Sequence, residues 1–303
     1  MRDIDELSIT EAFMASMRAC KDERLRTVMG SLVEHLHAFA REVQLTETEW
    51  ERGIAFLTRV GHITDDKRQE FILLSDVLGL STLVTAQNHA KPKGCTEATV
   101  FGPFYVDGAP EYLNGADITN GAHGQPCFVS GQIRDGEGRA IAGASLQVWQ
   151  ADEDGFYDVQ RPSKDQPEHR ARGQLRTDSA GRFHFRSILA EPYPIPHDGP
   201  VGRLLEALGR HPWRPAHLHF MIEAEGFETL ITHVFRDGDR YLESDAVFGV
   251  RSTLIAPWVR HEPGPAPDGT TSAVPFYTLD YGFVLNPSAA MRPSHELDKL
   301  ASE

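Results

Sequence analysis

Gly131-Gln-Ile-Arg-Asp-Gly-Glu-Gly138, followed by Gly143-Ala-Ser-Leu-Gln-Val-Trp149, is the stretch on which the fold turns. The run Cys127 to Ile133 reads as a short strand, Asp135-Gly-Glu-Gly138 has turn chemistry, and Ser145 to Gln150 reads as the next strand. The same texture continues downstream. Arg182 to Phe185, His217 to Ile222, Leu230 to Phe235 and Phe276 to Leu285 are further short runs separated by Gly and Pro. Several short strands between turn residues predict a β-sandwich or barrel.

Upstream the texture is different. From Leu25 the apolar residues fall at Val28, Met29, Leu32, Leu36, Phe39 and Val43, the three-and-four spacing of one helical face. Ser8 with Glu11, and Thr46 with Glu49, have capping-box spacing at expected helix starts. A third helical segment is expected through Phe71, Leu74 and Leu78, and Lys91-Pro-Lys-Gly94 reads as a linker. The expected class is therefore α+β, with a helical N-terminal region over 1–95 and a β-sandwich over 96–303. A polar tail is expected from Pro293.

The chain has 303 residues and a formal net charge of −14, which argues against a nucleic-acid partner and against an anionic membrane surface. A small anionic ligand stays compatible, because one Arg can dominate a pocket. No apolar run is long enough to span a bilayer, and Met1 to Glu6 is too acidic for a signal peptide. Cys20, Cys95 and Cys127 are odd in number and widely spaced, which reads as reduced thiols in a cytoplasmic protein.

The sharpest chemical signal is Arg214-Pro-Ala-His217-Leu-His219-Phe. On a strand, His217 and His219 share a face while Leu218, Phe220 and Ile222 take the other. Two neutral imidazoles side by side make half of a metal site, although the same spacing describes two histidines on a wetted face. Zinc or iron(II) would want a further His, Cys or carboxylate. A phenolate is a hard anionic donor that suits iron(III). Tyr157 follows a predicted strand, and Tyr193 sits in Pro192-Tyr-Pro-Ile-Pro196, where proline limits backbone freedom. Each tyrosine alone also reads as a half-buried aromatic bonded to backbone.

Taken together, Gly-x-Tyr157, Tyr193 in a proline loop and Arg214-Pro-Ala-His217-x-His219, with the Gly131 to Trp149 segment before them, resemble the intradiol ring-cleavage dioxygenases. The likeness runs from about Asp3 to Leu285. Val100-Phe-Gly-Pro103, Tyr193-Pro-Ile-Pro196 and Gly209-Arg-His-Pro-Trp-Arg-Pro215 look most like the hydroxyquinol branch, and His233 stands where the catechol branch usually carries Gln. The resemblance implies a non-haem Fe(3+) held by Tyr157, Tyr193, His217 and His219. It implies Arg214 and Tyr193 as catalytic residues, with Tyr193 acting in turn as ligand and as base. It implies a substrate pocket of Leu73, Asp76, Val100, Phe101, Gly102, Pro103, Ile195, Pro196, His233 and Val247. Asp76 would accept a hydrogen bond from the third hydroxyl of hydroxyquinol, or else is a helix cap or solvated acid.

The expected substrates are O2 and a small aromatic diol or triol, here hydroxyquinol opening to 3-hydroxy-cis,cis-muconate and maleylacetate. Catechol or chlorocatechol is the alternative. The implied assembly is a homodimer through the N-terminal helices, with a phospholipid at the interface. From a different class, Gly131 to Trp149 alone also resembles transthyretin-like β-sandwich modules, which bind partners and carry out no chemistry.

Overall fold

Regular alternation along Arg182–Ile188, with Phe183 and Phe185 buried between exposed or half-buried neighbours, is the pattern of a strand laid on a core. The computed structural model describes residues 3–65, 68–161 and 167–288. The polar tail from Pro293 lies outside the described residues. The chain divides into two compact units, Met1–His62 and Ile63–Glu303.

The first unit contains α1 (Ile9–Ser16), α2 (Glu23–Glu42) and α3 (Glu47–His62). α1 lies along α2, where Gly30 brings Met14 Sδ to 3.4 Å of the position a Cβ would occupy. The Thr46–Glu49 capping box forms as expected, with Thr46 N–H donating to Glu49 Oε2 at 3.0 Å and Glu49 N–H to Thr46 Oγ1 at 3.3 Å. The Ser8–Glu11 box does not form. Asp5 Oδ1 instead accepts from Leu7 N, Ser8 N and Ser8 Oγ, so the Ser8 hydroxyl is already engaged upstream. Of the predicted face of α2, Leu25, Val28, Leu32, Leu36, Phe39 and Val43 are each 44–53% exposed, while Met29 is half-buried.

The second unit opens with α4 (Glu70–Val77) and α5 (Leu80–Asn88). The expected helix through Leu78 ends one residue earlier, because Gly79 adopts φ +78° and turns the chain. Among the described residues no single helix is long and apolar enough to cross a membrane. The strands follow as β1 (Pro126–Asp135), β2 (Ser145–Trp149), β3 (Arg172–Arg176), β4 (Arg182–Ile188) and β5 (Tyr193–Pro194). After α6 (Pro200–Ala207) come β6 (Trp213–Arg214), β7 (His217–Glu223), β8 (Leu230–Arg236), β9 (Ile255–Ala256) and β10 (Trp258–His261). The short hairpin β11 (Gly264–Pro265) and β12 (Thr271–Ser272) precedes β13 (Phe276–Asp280) and β14 (Phe283–Leu285).

Two five-stranded sheets form the sandwich. One runs β10-β13-β1-β14 with β4 on the other side of β1, and the other runs β3-β2-β7-β8-β9. Their shared core includes Val129, Ile133, Phe183 and Leu279 from the first sheet and Leu146, Val148, Leu218, Phe220, Ile222 and Val234 from the second. The expected single run Phe276 to Leu285 is two strands. Tyr281 N–H bonds Ser130 O at 2.9 Å, and Gly131 admits this crossing because a Cβ there would lie 1.9 Å from Tyr281 O. β3 is not legible from its sequence, because only Gly173 and Leu175 face the inter-sheet core while Arg172 and Gln174 put polar groups on the face shared with Trp149.

Candidate metal centre

Register places the site. β7 pairs with β2 and β8 so that Trp149, His219 and His233 stand opposite one another, with His217 opposite Phe235. Directly paired residues project to one face, which here is turned away from the inter-sheet core. His217 and His219 are only 2% and 1% exposed, so the wetted-face reading is excluded.

Two loops cover that face. Tyr157 directly follows the turn Asp152–Gly155, and its N–H donates to Gln160 Oε1 at 2.8 Å. The next residue, Asp158, forms a buried two-point ion pair with Arg172 on β3, at 2.9 Å to Nε and 2.6 Å to Nη2, and Arg172 also donates to Phe104 O. Phe104 stacks on Tyr157 with centroids 4.4 Å apart. Tyr193 enters on β5, paired with Arg214 of β6. Gly155, at φ +80°, leaves room for the tyrosine loop, since a Cβ there would come to 3.0 Å of Tyr193 Cβ.

The donors converge. Tyr157 Oη lies 2.8 Å from His219 Nε2, and His217 Nε2 lies 3.2 Å from the same atom. The Tyr193 ring meets that of Tyr157 edge-on with centroids 5.3 Å apart, and packs 5.5 Å from that of His217. His217 Nδ1 is 2.7 Å from Pro215 O. A carbonyl only accepts, so the proton sits on Nδ1 and Nε2 presents a lone pair. Burial, helped by the Arg214 charge, pushes His217 down to about 3, and burial with the neighbouring imidazoles holds His219 well below its ordinary value. Burial and the adjacent Tyr193 push the Tyr157 phenol well up. Neutral imidazole lone pairs and buried phenols facing one point suit a Lewis-acidic cation, which would supply the charge needed to ionise the phenols. Two hard oxygen donors with two imidazoles fit Fe(3+).

His233 is also within this group of buried histidines, whose ligand atoms lie within 4.8 Å of one another. Its Nε2, however, is 2.9 Å from His219 Nδ1, on the far side of that ring from Tyr157. The three imidazoles therefore do not share one metal position. His233, expected in the substrate pocket, lies behind His219 and is fully buried.

Arg214 donates from Nε to Asp245 Oδ1 at 3.1 Å and directs Nη1 to His217 Nε2 at 3.4 Å. Burial works against the cation, but the Asp245 charge outweighs it and Arg214 is held above its ordinary value. Asp245 is a residue that sequence reasoning missed; it lies 31 positions from Arg214, and no local motif marks it. Asp76 on α4 is buried, with a raised carboxyl caused first by burial and opposed by its Ser81 hydrogen bond and by Arg214. α4 is anchored through Glu70, which is buried and accepts from Val201 N at 3.0 Å at the start of α6.

Leu73, Val100, Ile195 and Val247 are buried, and Thr82 Oγ1 on α5 bonds Val247 O at 2.9 Å. Gly102, at φ +80°, faces His219, while Pro196 is half-buried and Pro103 exposed. Phe101 packs on Tyr105 and Trp149. A groove of about 670 Å³ on the outer face of the first sheet contains none of these residues.

Comparison with known proteins agrees with this geometry. Residues 22–96 match the family described as "Catechol dioxygenase N terminus" and residues 100–287 the one described as "Dioxygenase". The chain is 58% identical to a 6-chlorohydroxyquinol 1,2-dioxygenase of Cupriavidus pinatubonensis, covering 95% of this chain and 100% of that protein. It is 47% identical to an intradiol ring-cleavage dioxygenase of Aspergillus niger, covering 84% and 77% respectively. The solved structure of hydroxyquinol 1,2-dioxygenase from Pseudomonas putida DLL-E4 superposes with a TM-score of 0.87 at 44% identity, over 93% of this chain and 99% of that one. With both family regions matched in order and the Tyr/His cluster assembled within the second, the chain belongs to the intradiol ring-cleavage dioxygenases.

Proposed function

We propose that this enzyme opens the ring of hydroxyquinol between its adjacent hydroxyls, with Tyr157, Tyr193, His217 and His219 holding a non-haem Fe(3+). The observation that carries the metal assignment is the 3.2 Å approach of His217 Nε2 to His219 Nε2, with the His217 proton held on Nδ1 by Pro215 O so that Nε2 presents its lone pair. Ferric iron there supplies a Lewis acid that lowers the pKa of bound catecholic hydroxyls and draws electron density from the ring. The protein's own groups do the rest. Tyr193 Oη, a buried oxygen donor presented on β5 beside Arg214 of β6, would accept a substrate hydroxyl proton. Arg214, aimed by Asp245, faces the negative charge that develops on the opened ring. Trp149 over His219 and Phe104 over Tyr157 exclude water from the ligands.

Asp76 supports the choice of hydroxyquinol. It is a buried carboxyl on the Arg214 side of the site, and several relatives carry hydroxyquinol in their names. An apolar pocket gains little from one extra hydroxyl, whereas a placed acceptor gains much. The alternative, a catechol or chlorocatechol substrate, draws on the 36% identical catechol 1,2-dioxygenase of Candida albicans. The experiment is a panel of hydroxyquinol, 6-chlorohydroxyquinol, catechol and chlorocatechols with iron-loaded protein and its Asp76→Ala variant. Hydroxyquinol should be preferred in kcat/KM, and Asp76→Ala should lower that preference by ~1–3 kcal/mol, the order of one hydrogen bond to a charged group. A better kcat/KM for catechol hands the assignment to the alternative. Colourless protein that stays inactive after iron loading removes the metal assignment.

The apolar face of α2 is the proposed contact with a second copy, with a phospholipid completing the interface. Cys20, Cys95 and Cys127, odd in number and widely spaced in the chain, support a reducing, cytoplasmic setting.

A further inference from the structure

We infer that His233 is a positioning residue: it accepts the Nδ1 proton of His219 and so fixes the tautomer that aims the His219 Nε2 lone pair into the metal site. The inference rests on the metal reading above and adds to it a residue outside the ligand set.

The argument starts from proton counting. A neutral imidazole carries one N–H. If His219 offers Nε2 as a lone pair, its proton must sit on Nδ1 and needs an acceptor. The atom facing Nδ1 is His233 Nε2, at 2.9 Å. For His233 Nε2 to accept, His233 must in turn carry its proton on Nδ1. That atom is buried and has no hydrogen-bond partner among the described residues. The opposite assignment, with His233 Nε2–H donating, would leave His219 protonated on Nε2. That N–H would point toward Tyr157 Oη and the His217 Nε2 lone pair, and the site would lose a donor.

The surroundings permit no other solution by rotation. His219 is clamped between the Trp149 ring, stacked at 4.7 Å and 19°, and the Gly102 backbone, where a Cβ would lie 3.2 Å from Cε1. His233 itself is fully buried, with its ring edge-on to His219 at 4.2 Å and 5.5 Å from Phe235.

The test compares His233→Gln, whose amide oxygen can accept the same proton, with His233→Leu, which fills the space and cannot. Iron dissociation constants are measured by chelator competition, and the tyrosinate-to-iron charge-transfer band is recorded; thermal melting of the metal-free forms reports folding. The expected result is a loss of iron affinity of about 10- to 100-fold and a shifted band in His233→Leu. His233→Gln should stay within about threefold of the parent. Equal affinity and band in a folded His233→Leu overturns the inference, as does a folded His233→Gln that fails to the same extent. Should His233→Leu not fold, the affinity of His233→Gln decides alone. A parent protein that binds no iron refutes the metal reading instead, which keeps the two failures apart.

Discussion

Replacing Asp245 by Asn keeps the outline of the side chain and removes its charge. In the folded protein the carboxylate accepts from Arg214 Nε at 3.1 Å and Nη2 at 3.3 Å, and from the N–H groups of Val247 at 3.3 Å and Gly249 at 2.9 Å. The side chains of the pair are 4% and 2% exposed, so water cannot replace the lost partner. An amide offers one oxygen where there were two, and its NH2 would face either Arg214 or the backbone donors. Removing one member of a buried ion pair costs ~3–5 kcal/mol. The same carboxylate holds a segment in which Phe248 adopts φ +58°, a conformation that costs a non-glycine residue ~1–2 kcal/mol. Because the amide retains one acceptor, the expected loss lies at the lower end, ~3 kcal/mol.

Urea unfolding of the metal-free protein at neutral pH, at fixed protein concentration, reads this directly. The double variant Arg214→Met with Asp245→Leu should lose less stability than Asp245→Asn, since it buries no lone charge. Catalysis should fall in both, because Arg214 is either unaimed or absent. A loss below ~1 kcal/mol for Asp245→Asn would show that the cation finds other compensation and would refute the reasoning.

Gly102→Ala should lower iron affinity and stability together, by ~1–2 kcal/mol in the latter, since Ala pays for φ +80° and its Cβ presses on His219 Cε1; chelator competition and urea titration measure both. Leu36→Glu with Phe39→Glu should shift the protein to monomer in sedimentation velocity while leaving the metal-site spectrum intact, and an unchanged sedimentation coefficient would count against α2 as the contact. Asp198 is held below its ordinary value by its hydrogen bonds to Arg68, so its contribution to stability is present above the unfolded carboxylate pKa and is lost as pH falls through the lowered folded value. Asp198→Asn should therefore flatten the acid limb of the stability curve between pH 5 and 3 (about the range set by that ordinary pKa), and an unaltered limb would exclude the pair as a contributor.

Much of the site is legible in the sequence, and for a local reason. His217 and His219 are two apart on a strand, so the period of the backbone alone puts them on one face, and proline on both sides of Tyr193 marks a loop built to aim a side chain. The α2 face and the Thr46 cap are likewise short-range patterns. One failure is local and the other long-range. The Ser8 box lost to Asp5, and the last predicted strand split because Gly131 on a distant strand lets Tyr281 cross.

The sequence by itself determined the helical-then-β order, the two-imidazole face and, through four donors in their flanks, the family. Only the tertiary structure decided which charges and protons those donors carry. Asp245 reaches Arg214 across 31 residues, Arg172 locks Asp158 beside Tyr157, and His233 meets the back of His219 because β8 pairs with β7 in one register. Such partners are chosen by strand pairing and burial, which join positions far apart in the chain, and in a water-excluding interior those choices set tautomer and charge.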